Sequence, residues 1–82
     1  MTITLLYFAA VRDLVGVDEE RVALPAGVAT IAALRGFLAA RHPALDGRLG
    51  AVRFARNETF ATNDEAIADG DVVAVIPPVA GG

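Results

Sequence analysis

Apolar and polar positions alternate with period two over the first eight residues. Ile3, Leu5 and Tyr7 fall on one side, and Thr2, Thr4, Leu6 and Phe8 on the other. A strand of this kind has one fully apolar face and a second face that starts polar and turns apolar toward its C-terminal end. Residues 9–15 read as a turn or short helical passage stopping at Gly16, and residues 18–24 as a second strand with Val22 and Leu24 on its inner side. These two strands are expected to form a hairpin with a long connection. Pro25-Ala26-Gly27 then breaks the pattern. Thr30 is placed to N-cap a helix carrying Ile31, Leu34, Phe37 and Leu38 at helical spacing. Its end falls at Arg41, His42 and Pro43, where a basic last turn complements the helix dipole and proline opposes continuation. Gly36 inside it costs about 1 kcal/mol relative to alanine, which points to close backbone packing there.

After Asp46-Gly47, residues 52–56 read as a third strand, and Asn57-Glu58 as a turn leading into Phe60. Asp69-Gly70 is a second turn signal. Residues 71–76 form a last strand, with Val73 and Val75 facing one way and Val72, Ala74 and Ile76 the other. The order strand, strand, helix, strand, strand predicts an α+β roll, a mixed sheet with one main helix packed across one face. With the first and last strands parallel at the centre, both end at the same edge, so Phe8 and Ile76 emerge together.

That edge is where the C-terminal peptide begins. The folded domain is expected to cover residues 1–76, and residues 77–82 to be a flexible tail. Pro77 and Pro78 restrict φ and remove two donors, which opposes pairing into the sheet. Gly81 and Gly82 have no Cβ, so they can enter a channel too narrow for side chains. Six extended residues reach roughly 20 Å. The terminal carboxylate is therefore the best candidate for the working group.

Composition narrows the chemistry further. Eighty-two residues, 55% of them hydrophobic, are enough for one compact domain and too few for two cores. Without cysteine there is no disulfide, no thiolate metal site and no thiol nucleophile, so any sulfur handled here must be imported. The net charge of −3 argues against nucleic acid as a partner and suits a basic protein surface. All seven basic residues are arginines, so the chain offers no ε-amine for building lysine-linked polymers of itself. No charged leader precedes a long apolar run and no stretch approaches the ~20 residues of a membrane span, so a cytoplasmic protein with no membrane association is expected. His42 reads as a helix-end residue rather than a catalyst or metal ligand. Asp64-Glu65, Asp69 and Asp71 lack the periodic oxygen-ligand loop of a calcium site and read as solvated turn acids. Arg12, Arg53 and Arg56 either stay solvated or meet an acidic surface on a partner.

Several segments together carry a resemblance. They are Phe8-Ala9-Ala10-Val11-Arg12-Asp13-Leu14-Val15-Gly16, the Thr30-capped helix, Asn57 after the third strand, and the run from Asp69-Gly70-Asp71 to Pro77-Pro78-Val79-Ala80-Gly81-Gly82. The chain resembles, over nearly its whole length, the sulfur-carrying small subunits of molybdopterin synthase in the MoaD/ThiS group of ubiquitin-like β-grasp proteins. An α-carboxylate with a pKa of about 3.5 is ionised at neutral pH and a poor electrophile, so it must be activated. The resemblance implies that an adenylating enzyme uses MgATP to form an acyl-adenylate at Gly82, and that a sulfur-donating protein supplies the sulfur that displaces AMP. The resulting thiocarboxylate would donate sulfur to cyclic pyranopterin monophosphate, forming the dithiolene of molybdopterin within the large subunit.

The resemblance further implies a heterotetramer of two small and two large subunits, in which this chain is non-catalytic alone but one part of a sulfurtransferase. It binds no cofactor itself. Phe8, Phe60 and Ile76 would form an apolar docking patch for both the adenylating enzyme and the large subunit, with Pro77, Pro78, Val79, Ala80 and Gly81 threading into the partner. Ala80 stands where a hydroxyl residue is frequent and Ile76 where an aromatic can occur. Sulfur carriers for cysteine or thiamine biosynthesis, a ubiquitin-like protein modifier and a plain binding module with an inert tail are the alternatives.

Overall fold

The computed structural model describes residues 1–78. Strand β1 spans Thr2–Tyr7, helix α1 Ala9–Val15, strand β2 Glu19–Ala23 and helix α2 Ile31–Arg41. Two single 3-10 turns, Pro43–Leu45 and Leu49–Ala51, lead into β3 (Arg53–Arg56), β4 (Thr59–Ala61) and β5 (Val72–Ile76). The strands form one mixed sheet in the order β2-β1-β5-β3-β4, with β1 and β5 parallel at its centre and the other pairs antiparallel. The expected α+β roll is therefore present, with a fifth strand, β4, where only a turn into Phe60 was foreseen.

Alternation along the strands decides which face is covered. Ile3, Leu5 and Tyr7 of β1 and Val73 and Val75 of β5 are buried, as are Val22 and Phe54. Onto this face α2 places Ile31, Leu34 and Leu38, all without exposure to solvent. The Thr30 hydroxyl accepts the Ala33 N–H at 3.2 Å, satisfying one of the donors orphaned at the helix start. At the other end, the His42 N–H donates to the Leu38 carbonyl at 2.8 Å, so His42 is the helix-end residue its position predicts. Phe37 is only half buried.

One local expectation needs correcting. A Cβ placed on Gly36 would meet nothing within 4 Å, and the residue is exposed, so no close packing accounts for the glycine. Residues 9–15, read as a turn or short helical passage, form the helix of that passage. Gly16 closes it with φ of 93°, a conformation open to glycine, and its N–H donates to the Arg12 carbonyl.

Candidate docking site at the root of the tail

The second face of the sheet has no helix over it. Because β1 and β5 run parallel, with Leu6 opposite Ala74, their C-terminal ends lie side by side. Phe8 follows β1 directly, and Ile76 is the last residue of β5, immediately before Pro77. The β3–β4 hairpin continues the same surface, since Ala55 pairs both with Ala74 and with Phe60. Leu6, Phe8, Ala55, Phe60, Ala74 and Ile76 thus line one open groove of about 500 Å³. Phe8 and Phe60 are large aromatic side chains at 46% and 53% exposure. Exposed side chains of that size, grouped on one face, make this groove a candidate docking surface.

The three patch residues singled out from the sequence are therefore brought together by the topology. Pro77 and Pro78 leave the groove edge and contribute to a second apolar groove with Ala10, Leu14 and Leu45, on the side of α1 and the 3-10 turns. Val79, Ala80, Gly81 and Gly82 lie outside the described residues.

The shape of the groove rests on a polar clamp that sequence reading missed. Asp71, expected as a solvated turn acid, is 6% exposed. Its carboxylate accepts hydrogen bonds from Arg56 Nε at 2.5 Å, Asn57 Nδ2 at 2.9 Å and the Ala68 N–H at 2.7 Å. Burial alone would raise its pKa. The Arg56 cation and the other donors outweigh that and hold the carboxyl below its ordinary range. Arg56 also meets Glu65 at 3.4 Å, so it is engaged inside the chain rather than free for a partner. Asn57 Oδ1 accepts the Val72 N–H at 3.0 Å, and the Asn57 backbone N–H donates to the Val72 carbonyl at 2.8 Å. Asn57 and Glu58 both have positive φ, 50° and 73°, as a tight turn matched to strand twist requires. The clamp pins this turn, and with it Phe60, to the start of β5.

A second network lies under α2. The Tyr7 hydroxyl donates to Glu20 Oε1 at 2.5 Å, His42 Nε2 lies 2.8 Å from the same oxygen, and Arg41 Nε donates to it at 3.2 Å. Burial works against the Glu20 anion, yet the hydrogen bonds from Tyr7, His42 and Arg41 bring its pKa down to about 2. Burial, reinforced by the Glu20 anion, pushes the Tyr7 phenol well above its usual value. None of these four residues lines the groove, so they staple β1, β2 and α2 rather than serve the docking face. Among the described residues no group of His, Asp and Glu is arranged to hold a metal ion, and no helix is long and apolar enough to cross a membrane.

The residues that carry chemistry here are few, and comparison with known proteins locates them in a wider group. The model of the ThiS family matches residues 5–82. The molybdopterin synthase sulfur carrier subunit of Escherichia coli is 44% identical, covering 98% of this chain and 99% of that one. Its counterpart from Chlamydomonas reinhardtii is 43% identical over 100% of both chains. Among solved structures, SAMP1 from Haloferax volcanii superposes with a TM-score of 0.85 at 31% identity, again over 100% of both chains. Full-length similarity of sequence and of backbone agree, and the chain belongs to the ThiS family, with a ubiquitin-like β-grasp fold.

Proposed function

We propose that this chain is the sulfur-carrier small subunit of a molybdopterin synthase, with Gly82 as its reacting residue. The observation that carries this reading is the apolar groove of Phe8, Phe60 and Ile76 at the point where β5 hands over to Pro77-Pro78. A docking face beside the root of a narrow peptide suits a protein that is held by its fold and used at its end. Full-length identity of 43–44% to curated carriers supports the same assignment.

In this mechanism the Gly82 carboxylate attacks the α-phosphate of ATP on an adenylating enzyme, releasing pyrophosphate and forming the acyl-adenylate. Sulfide-level sulfur released by the donor protein then attacks the acyl carbon and AMP leaves. The thiocarboxylate so formed is anionic and nucleophilic without help from any side chain of this chain. In the large subunit it transfers its sulfur to cyclic pyranopterin monophosphate, and hydrolysis returns the carboxylate. MgATP belongs to the activating partner, and this chain needs no cofactor of its own. Burial of each aromatic patch residue contributes roughly 1.5–3 kcal/mol, enough for Phe8 and Phe60 to dominate the contact. Two copies on two large subunits, in the cytoplasm, complete the proposal.

Complementation of a cell lacking its molybdopterin synthase small subunit tests it. Rescue by the intact chain and none by the Gly82-deleted chain is expected; failure of the intact, expressed chain overturns the assignment. A second reading, as a protein modifier joined through Gly82 to lysines of other proteins, is favoured by the similarity to the small archaeal modifier protein SAMP1. Conjugates bearing a Gly-Gly remnant in cell lysate would support it.

A further inference from the structure

The chain has seven arginines. Arg12, Arg41 and Arg56 each have a carboxylate within 4 Å. Arg35 donates to the Leu49 and Val52 carbonyls and to Asn63. Arg21, Arg48 and Arg53 have no ion-pair partner among the described residues, and of these three Arg53 is the one that lies against a residue of the Phe8–Phe60 groove. It is exposed, opens β3 directly opposite Ile76, and has no carboxylate within ion-pair distance among the described residues. Its guanidinium carbon instead lies 3.7 Å from the centroid of the Phe60 ring, a cation–π stack at the rim of the groove. The acid that lines the groove, Glu58, sits in the β3–β4 turn, at the opposite end of β3 from Arg53.

A molecule that covers Phe60 and Ile76 must also strip water from this guanidinium. A cation that loses water without gaining an anion opposes association, whereas a planar guanidinium already fixed on a ring presents its free edge to a carboxylate in a fork of parallel hydrogen bonds. The chain as a whole carries −3, so an acidic partner surface gains most where a cation stands without an internal anion. We propose that the partner surface sealing this groove places a carboxylate against Arg53, and that the Arg53–Phe60 pair selects partners by that charge beside the tail. This rests on the reading of Phe8, Phe60 and Ile76 as a docking face.

The test measures the affinity of the full chain for the purified large synthase subunit encoded in the same genome, across a range of sodium chloride concentrations. Wild type is compared with Arg53→Met, Arg53→Glu and Phe60→Ala, each checked by thermal melting. Methionine keeps an apolar stem on the ring and removes only the charge. Arg53→Met is expected to weaken binding about tenfold or more at low salt and to flatten its salt dependence, with Arg53→Glu weaker again. If Arg53→Met binds as tightly as wild type or tighter while Phe60→Ala weakens binding, the groove docks but its cation is not read, and the proposal is overturned. If Phe60→Ala also binds like wild type, the docking reading falls and the proposal with it.

Discussion

Asp71 illustrates how much one side chain decides in a chain this small. It holds Arg56, Asn57 and the Ala68 N–H at once, and through them fixes the turn that presents Phe60. Asp71→Ala leaves a cation and two amide donors without their acceptor. We predict a loss of about 2–3 kcal/mol in urea unfolding, moderated because Arg56 keeps part of its guanidinium in water. The Asp69-Gly70-Asp71 segment was visible in the sequence as a turn. Its inward acid was not, because its partners Arg56 and Asn57 lie 15 and 14 positions away and acids ordinarily stay solvated. From sequence Arg53 is a cation that either stays solvated or meets an acidic partner surface, and nothing local announces that it stacks on Phe60. Phe8 and Ile76 were legible from alternation, on the side of the sheet that α2 does not cover, whereas Phe60 came only with the family resemblance, because the short strand that carries it was not foreseen.

Among the elements, strong periodicity made the reading sharp, and β4 is the strand that escaped it. β1 and β5 announced themselves by alternation, and α2 by its Thr30 cap and the spacing of Ile31, Leu34 and Leu38. β4 has three residues, too few for alternation to register, and exists because the Asn57-Glu58 turn folds it back on β3. α1 is seven residues long and has no side-chain N-cap, so its helical character depends on packing Val11 into the core. Gly36 is where the sequence argument misled. With open space around its absent Cβ, the glycine brings only its helix penalty. Gly36→Ala is therefore expected to stabilise the protein by about 0.5–1 kcal/mol, seen as a melting temperature higher by a few degrees. Leu38→Ala on the buried side of the same helix is expected to cost about 2–5 kcal/mol.

For the whole molecule, the acid response draws on two places, Glu20 on the α2 side of the sheet and Asp71 in the clamp that shapes the groove. Glu20 titrates at about 2 in the folded chain, below the range of an unfolded carboxylate, and Asp71 is shifted in the same direction. The stability these anions contribute is present above the unfolded pKa and is lost as pH falls through the folded values. Urea midpoints should hold between pH 7 and about pH 5 and then fall toward pH 2, and Glu20→Gln should flatten part of that slope. The face away from α2 carries the groove and, one residue past Ile76, the peptide that leads to Gly82. The central claim is that this peptide ends in the only group of the chain that reacts. Its most direct test is the intact mass of the chain after incubation with ATP, the activating enzyme of its own genome and a sulfur donor. A mass gain equal to exchange of one oxygen for sulfur, localised to Gly82 and absent when Gly82 is deleted, is the predicted result. An unchanged mass, in a mixture that converts a known carrier, would contradict the account.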